Sequence, residues 1–241
     1  MSITEMAALL DDAATGAKAI PQLTLGHELD VDGAYAVQEA LIARRLDRGQ
    51  RLVGIKMGLT SRAKMAQVGV HEVIWGRLTD AMRVPDGGRL ALDGFIHPRI
   101  EPEVAFLLGE DGIAAVAPAL EIIDSRYADF QFTHPDVVAD NTSGAAFVLG
   151  AWQPVPAGLG NLGVLLEVDG KVVQAGSTAA ILGDPRRALD EGRALTARYG
   201  VALEPGWIFL AGAATAAVPL TRGAHVRAVV EGLGSTSVVA S

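Results

Sequence analysis

Cysteine is absent from the 241-residue sequence, which excludes disulfide bonds and metal sites built from thiolates. Basic residues are also in deficit, because 20 Lys and Arg stand against 28 Asp and Glu and give a formal net charge of −8. A chain with this charge is not expected to bind nucleic acid through a broad positive surface. The five histidines show neither an HxH nor an HExxH spacing, so we do not expect them to ligate a metal.

Long apolar runs are missing as well. No uninterrupted apolar stretch approaches the roughly 18–20 residues that span a bilayer, and acidic residues stand where a secretory signal has its basic start. We therefore expect a cytoplasmic protein without a membrane or nucleic-acid partner. Half of the residues are hydrophobic, which allows a large core. We expect a helical appendage over residues 1–50 and a β-rich core over residues 51–241, forming one functional unit.

Apolar periodicity predicts helices over residues 3–15, 32–48, 61–68 and 184–199. The last of these begins with an Asp-Pro pair, a capping residue followed by a proline in the first turn. Elsewhere, short runs of Val, Ile and Leu alternate with Gly and Pro, which is typical of many short strands. An Asp-Gly pair at residues 169–170 predicts a tight hairpin. Strands and helices do not alternate regularly, so a doubly wound nucleotide-binding fold is not expected.

The segment Arg99-Ile-Glu-Pro-Glu-Val-Ala-Phe-Leu-Leu108 has the period of a strand. Its even-numbered residues are apolar and predict a core-facing side. Glu101 and Glu103 share the other side, about 7 Å apart at their Cβ atoms. Two like charges this close repel unless a cation or a base lies between them, and ligation by carboxylates alone selects a hard ion such as Mg²⁺ or Mn²⁺. The alternative is a solvated outer face, and the spacing by itself does not decide between them.

Two further charged residues lie inside apolar runs. Glu121 is either a third carboxylate of the same site or the partner of Arg126 in a salt bridge, because a buried carboxylate needs a counterion. Lys56 stands between apolar residues, with glycines two positions before and two after it. It is either a buried acid–base or electrophilic lysine or a lysine that extends from a strand to solvent.

The polar cluster Asp140-Asn-Thr-Ser143-Gly follows an apolar run, and its composition alone predicts a turn. No serine stands in a GxSxG frame, so a nucleophile elbow is not supported.

Taken together, several motifs in fixed order resemble the 2-keto-4-pentenoate hydratase and 4-oxalocrotonate decarboxylase family of the fumarylacetoacetate-hydrolase-like superfamily. The resemblance runs from about Leu29 to the C-terminus, and within the family it is strongest to the decarboxylase branch. The motifs are GIKMGLTS, WGRLTDAM, HPRIEPEVAFLL, PALEIIDSRYADFQF, DVVADNTSG and GAATAAVPLTRGAHVRAVVEGLGS.

The resemblance implies an α+β fold, a mixed and mostly β roll with N-terminal and peripheral helices. It implies metal-dependent decarboxylation of an unsaturated 2-oxo diacid, 2-oxo-3-hexenedioate, in the meta-cleavage degradation of aromatic compounds. By the same resemblance a divalent metal, Mg²⁺ or Mn²⁺, is held by three glutamates, and catalysis involves a lysine and a loop. The metal ligands are Glu101, Glu103 and Glu121; the catalytic residues are Lys56, Ser143 and Asp140; Asn141 beside them contacts substrate.

The sequence departs from the family pattern at two places, and each departure leads to a further expectation. The hydratase branch has an aspartate just before the aromatic-Gly pair, where this sequence has Ile74. We expect Ile74 to contact substrate and to favour decarboxylation over hydration. In addition, only 18 positions separate Glu103 from Glu121, fewer than in the family. Either this protein carries a real deletion or a mobile lid has been left out of the numbered chain, and we expect the omission.

Charge balance predicts one more cation at the site. The three glutamates, a divalent metal and Lys56 sum to about zero, so a dianionic substrate needs a further positive group. Arg126 is the first candidate to bind the substrate, with Arg77 and Arg62 behind it.

Two alternatives to the decarboxylase stay open. One is a hydratase acting on 2-oxopent-4-enoate, and the other is a non-catalytic subunit that stabilises such a hydratase. Retention of Lys56 and all three glutamates argues against the latter, because buried charges are expensive to keep without use. The resemblance also implies a complex with the hydratase and a homo-oligomer.

Overall fold

The computed structural model describes residues 1–61 and 72–241. Within these ranges the α-helices are α1 (Ile3–Thr15), α2 (Val31–Asp47), α3 (His134–Ala139) and α4 (Pro185–Arg198). The strands are β1 (Leu52–Gly58), β2 (Ile74–Thr79), β3 (Arg83–Val84), β4 (Gly88–Leu90), β5 (Arg99–Gly109), β6 (Gly112–Ile123), β7 (Gly144–Leu149), β8 (Gly163–Val168), β9 (Lys171–Ser177), β10 (Ile208–Ala213), β11 (Val218–Pro219), β12 (His225–Val230) and β13 (Gly234–Ala240).

The strands form two mixed sheets. The larger has the order β2-β1-β10-β5-β6-β7-β3, with β11 paired to β5, and the smaller has the order β4-β13-β12-β8-β9. Three pairs are parallel, β1 with β10, β3 with β7 and β13 with β4, and the other pairs are antiparallel. Apolar residues of β6 and β7 pack against those of β12 and β13 in a core between the sheets. This is the mixed, mostly β arrangement that was expected.

A second core joins the larger sheet to the helices. Met6 and Leu10 of α1 and Leu41 of α2 lie in one buried cluster with Trp75 of β2 and Phe106 of β5. The N-terminal helices therefore complete the core of the sheet, and the predicted division at residue 50 stays a prediction. No helix in the described ranges has the length and apolar character needed to cross a membrane.

Local signals placed helices α1, α2 and α4 and the β8–β9 hairpin correctly, whereas α3 was not predicted. Ser2 and Glu5 form a capping box at the start of α1, and Asp30 caps α2. Asp184 caps α4 ahead of Pro185, and the Asp-Gly pair at 169–170 joins β8 to β9 with both residues at positive φ. The predicted helix over 61–68 lies almost wholly outside the described residues.

Strand β6 was not predicted, because alanines and Pro118 give residues 112–123 little β propensity. It pairs with β5 along its whole length, from Arg99 opposite Ile123 to Gly109 opposite Gly112. A tight turn of two residues connects the strands, so the expectation of a missing lid between Glu103 and Glu121 was wrong. The short spacing is a closed β-hairpin.

Candidate active site

A cavity of about 830 Å³ opens on the larger sheet. Its walls come from β1, from the start of β5, from residues 129–132, from the loop around Ser143 and from residues 213–217. Ile74 contributes to an apolar wall together with Met57, Leu59 and Phe132. Lys56, Glu101 and Ser143 line it from the polar side.

The three predicted glutamates meet beside this cavity. Glu101 of β5 lies directly opposite Glu121 of β6 in the antiparallel register, and Glu103 follows two residues along the same face of β5. One carboxylate oxygen from each lies within 4.8 Å of the others. All three are buried, at 4%, 0% and 1% exposure respectively. The alternative of a solvated outer face was therefore wrong.

Burial and the charges of neighbouring carboxylates disfavour the charged forms of Glu103 and Glu121. Burial, followed by the charges of Glu121 and Glu101, raises the pKa of Glu103 well above its ordinary value. Burial raises the pKa of Glu121 to about 6, although the nearby Lys56 ammonium opposes the shift. Glu103 Oε1 and Glu121 Oε1 have no hydrogen-bond partner within the described residues. An all-oxygen set with unpartnered buried lone pairs fits a hard divalent cation.

Gly212 fixes the orientation of Glu103, and sequence reasoning missed it. Its backbone N–H donates to Glu103 Oε2 at 2.9 Å, from an irregularity in the pairing of β10 with β5. The residue has φ +111°, and a Cβ there would lie 2.1 Å from Thr60 Oγ1. Glycine is required for this close approach, and the only available signal in the sequence was a run of small residues, Ala211-Gly-Ala-Ala214.

Lys56 is buried at 2% exposure in β1, so the alternative of a lysine extended to solvent was wrong. Its Nζ lies 3.0 Å from Glu121 Oε2 and donates to the Thr142 carbonyl oxygen at 3.1 Å. A Cβ on Gly58 would lie 2.5 Å from Thr142 Cγ2. The absence of a side chain at Gly58 thus lets the loop that carries Thr142 approach β1 closely enough for its carbonyl to reach the Lys56 ammonium.

The loop that carries Ser143 is held in an uncommon backbone conformation. Asn141, Thr142 and Ser143 have φ of 48°, 54° and 56°, three successive residues in the left-handed region. Such strain concentrates at functional sites, where the surrounding structure holds it in place. Here it directs the Thr142 carbonyl to Lys56 and leaves the buried Ser143 Oγ beside the cavity, without a hydrogen-bond partner in the described ranges.

Asp140 and Arg126 form a buried pair behind this loop instead of lining the cavity. Arg126 donates to Asp140 from its backbone N–H at 3.0 Å and also from its guanidinium. Burial raises the pKa of Asp140 to about 6, and Arg126 opposes the shift. The structure therefore corrects two expectations: Arg126 pairs with neither Glu121 nor a group in the cavity, and Asp140 does not face the cavity.

The side chains of Asn141 and Arg77 also make hydrogen bonds within the protein and do not face the cavity. The Asn141 side chain accepts from the Arg77 backbone N–H at 2.7 Å and donates to the Arg77 carbonyl at 2.9 Å. The Arg77 guanidinium donates to Gln38 Oε1 at 2.9 Å and lies over the Trp75 ring. Neither residue lines the cavity, contrary to the expected contacts with substrate. Arg62, the remaining predicted cation, lies outside the described residues.

Comparisons with known proteins agree with this geometry. No protein-family model matches the sequence. A 4-oxalocrotonate decarboxylase from Pseudomonas sp. is 51% identical over 249 residues, covering 98% of this chain and 97% of that protein. The chain belongs to the 2-keto-4-pentenoate hydratase and 4-oxalocrotonate decarboxylase family. A 2-keto-4-pentenoate hydratase from Paraburkholderia xenovorans (strain LB400) is less similar, 35% identical over 223 residues, covering 86% of this chain and 83% of that one.

A solved structure of another family member shares the whole fold. The 4-oxalocrotonate decarboxylase from Pseudomonas putida G7, complexed with magnesium and adipate, superposes with a TM-score of 0.96 at 36% identity. The alignment covers 99% of this chain and 97% of that one. The predicted family and the fold class are thereby confirmed.

Proposed function

We propose that this protein is a metal-dependent decarboxylase that converts 4-oxalocrotonate (2-oxo-3-hexenedioate) to 2-hydroxypenta-2,4-dienoate and CO₂. The observation that carries the proposal is the buried cluster of Glu101, Glu103 and Glu121 with Lys56, beside a cavity that opens to solvent. The greater similarity to a decarboxylase than to a hydratase supports the same choice.

The reaction needs an electron sink at one end of the substrate and a departing carboxylate at the other. The bond between C5 and C6 breaks and C6 leaves as CO₂. Its electron pair moves through the C3–C4 alkene to the 2-oxo oxygen, as in a vinylogous β-keto acid. One proton completes the dienol product. A divalent metal bound by the three glutamates would polarise the 2-oxo oxygen as a Lewis acid, and we propose Mg²⁺ or Mn²⁺ because the ligands are all carboxylates.

Lys56 is the residue best placed to stabilise the developing negative charge. Its ammonium has three N–H donors, and within the described chain two point to Glu121 Oε2 and to the Thr142 carbonyl. The third can donate to the 2-oxo oxygen as charge accumulates there, or supply the proton. A preorganised donor of this kind contributes about 10²–10³ in rate. Ser143 Oγ lies beside the same cavity and can bind the C1 carboxylate.

The apolar wall supports decarboxylation over hydration. An apolar wall beside the alkene carbons keeps water away from them, which disfavours the addition of water. Ile74 is 2% exposed and lines the cavity with Met57 and Leu59. At the position where the hydratase branch has an aspartate, this wall therefore offers an apolar side chain that cannot activate a water molecule.

The deciding experiment is ¹H NMR of the purified protein with each candidate substrate. With 4-oxalocrotonate and Mg²⁺ or Mn²⁺, we expect loss of the C6 carboxyl and appearance of the dienol. Conversion of the dienol to 4-hydroxy-2-oxopentanoate would instead identify a hydratase, and no reaction with either compound would favour a non-catalytic subunit. Excess EDTA should abolish activity and added Mg²⁺ or Mn²⁺ should restore it. Full activity in metal-stripped protein would contradict the metal assignment.

A homo-oligomer and a complex with a hydratase remain part of the proposal. Light scattering coupled to size-exclusion chromatography, with and without a purified hydratase of the family, tests both.

A further inference from the structure

The charges of the buried cluster leave one carboxylate of the proposed substrate without a cationic partner. Three glutamates, one divalent cation and Lys56 sum to zero, whereas the diacid brings two negative charges. Among the described lining residues only Lys56 and Arg99 are cationic. Lys56 is already engaged with Glu121 in the buried part of the site. Arg99 is therefore the cation that can meet the second carboxylate.

Arg99 stands at the correct place on the strand. It precedes Glu101 and Glu103 at spacings of two and four, so the three side chains share one face of β5. Successive residues on a strand face are about 7 Å apart, and the extended six-carbon chain of the diacid spans about 6 Å between its carboxyl carbons. A substrate held through its C1 end at the glutamates can thus extend its C6 end toward Arg99.

The guanidinium is oriented but has no carboxylate partner within the described residues. Its central carbon lies 4.5 Å from the centre of the Phe130 ring in a cation–π contact, and its N–H groups can donate to a planar carboxylate. Asp129 and Phe130 both have φ of 57°, so a strained segment holds the ring at the cavity. Arg99 itself is exposed, which places it at the entrance.

We propose that Arg99 is the specificity-determining residue that selects diacids over monoacids by binding the C6 carboxylate; this inference rests on the proposed function. Its effect on rate follows from the chemistry. The C6 carboxylate loses its charge as CO₂ forms, so an arginine bound to it stabilises the ground state more than the transition state. Replacing Arg99 by methionine should raise KM about tenfold and leave kcat unchanged or higher. A lower kcat with an unchanged KM would contradict the proposal.

Binding of unreactive analogues tests the inference without turnover. The probes are 2-oxohexanedioate and 2-oxohexanoate, which lack the alkene and cannot lose CO₂ by the proposed route. Calorimetry in Mg²⁺ should show that the wild-type protein prefers the diacid by about tenfold. Arg99→Met should bind both probes equally, and Arg99→Lys should retain part of the preference. Arg89→Met, which removes an exposed arginine from the other sheet, is the matched control and should bind like wild type.

The outcomes separate this inference from the proposed function. If Arg99→Met keeps the preference for the diacid, or if the wild-type protein has none, the role of Arg99 is overturned, whatever the decarboxylation assay shows. If the preference depends on Arg99 but 4-oxalocrotonate is not decarboxylated, the inference stands and the proposed reaction fails.

Discussion

Replacement of Glu103 by glutamine should stabilise the metal-free protein while it weakens metal binding. The carboxylate oxygens of the three glutamates lie within 4.8 Å of one another, and at that separation each pair of charges repels by roughly 3 kcal/mol at an effective dielectric constant of 20. Glutamine keeps the shape of Glu103 and can still accept the Gly212 N–H. Its amide N–H groups would donate a hydrogen bond to Glu101 or Glu121, where the wild-type carboxylate repels them.

The expected size of the effect follows from the raised pKa of Glu103. The wild-type protein can avoid part of the repulsion by protonating Glu103, so we expect a net gain of about 1–3 kcal/mol at pH 8. For a chain of this length, 1 kcal/mol corresponds to about 2–4 °C in Tm. A group whose pKa is raised in the folded state stabilises the protein fully at pH values below its unfolded-state pKa. This stabilisation is lost as the pH rises through the folded-state pKa. The gain should therefore shrink as pH falls from 8 to 5, because protonation of Glu103 then relieves the repulsion in the wild-type protein.

Calorimetric melting in EDTA at pH 5 and pH 8, followed by titration with Mg²⁺ or Mn²⁺, measures both effects. Added metal should raise the Tm of wild type and raise that of Glu103→Gln much less, because a lost carboxylate ligand lowers affinity. Glu110→Gln, at the exposed turn of the same hairpin, is the control and should change neither quantity. A metal-free Glu103→Gln protein that melts below wild type at pH 8, or that binds metal equally well, would refute the reasoning.

Three further substitutions test neighbouring parts of the site. Lys56→Ala should lower turnover at least about a hundredfold in saturating Mg²⁺, and near-normal turnover would exclude a catalytic role for the lysine. The same substitution should destabilise the metal-free protein by about 3–5 kcal/mol, because Glu121 loses its buried counterion. Ile74→Asp should lower decarboxylation measured as CO₂ release, with Ile74→Leu as control, and an unchanged rate would remove Ile74 as the residue that selects the reaction. Gly212→Ala should weaken metal binding in calorimetry, since its Cβ would strike Thr60, whereas Gly200→Ala, at a similar positive φ in open space, should leave metal affinity intact.

The elements that the sequence predicted are those governed by local interactions. The apolar period of residues 3–15 and the pair Asp184-Pro185 each predict a helix from a few residues of chain. The period of two in residues 99–108 places Glu101 and Glu103 on one face without any knowledge of neighbouring strands. The family resemblance then assigned Glu121 and Lys56 to the same site, which the structure brings together.

What only the tertiary structure decided depends on strand register and on contacts between distant segments. Glu121 faces Glu101 because the tight turn of the β5–β6 hairpin sets their pairing, and an alanine-rich strand containing Pro118 gave no local sign of it. The partners of the arginines are equally non-local. Arg126 lies in a buried pair with Asp140, while Arg99 remains at the cavity. A counterion is chosen by distance in the folded protein, and sequence spacing does not encode that distance.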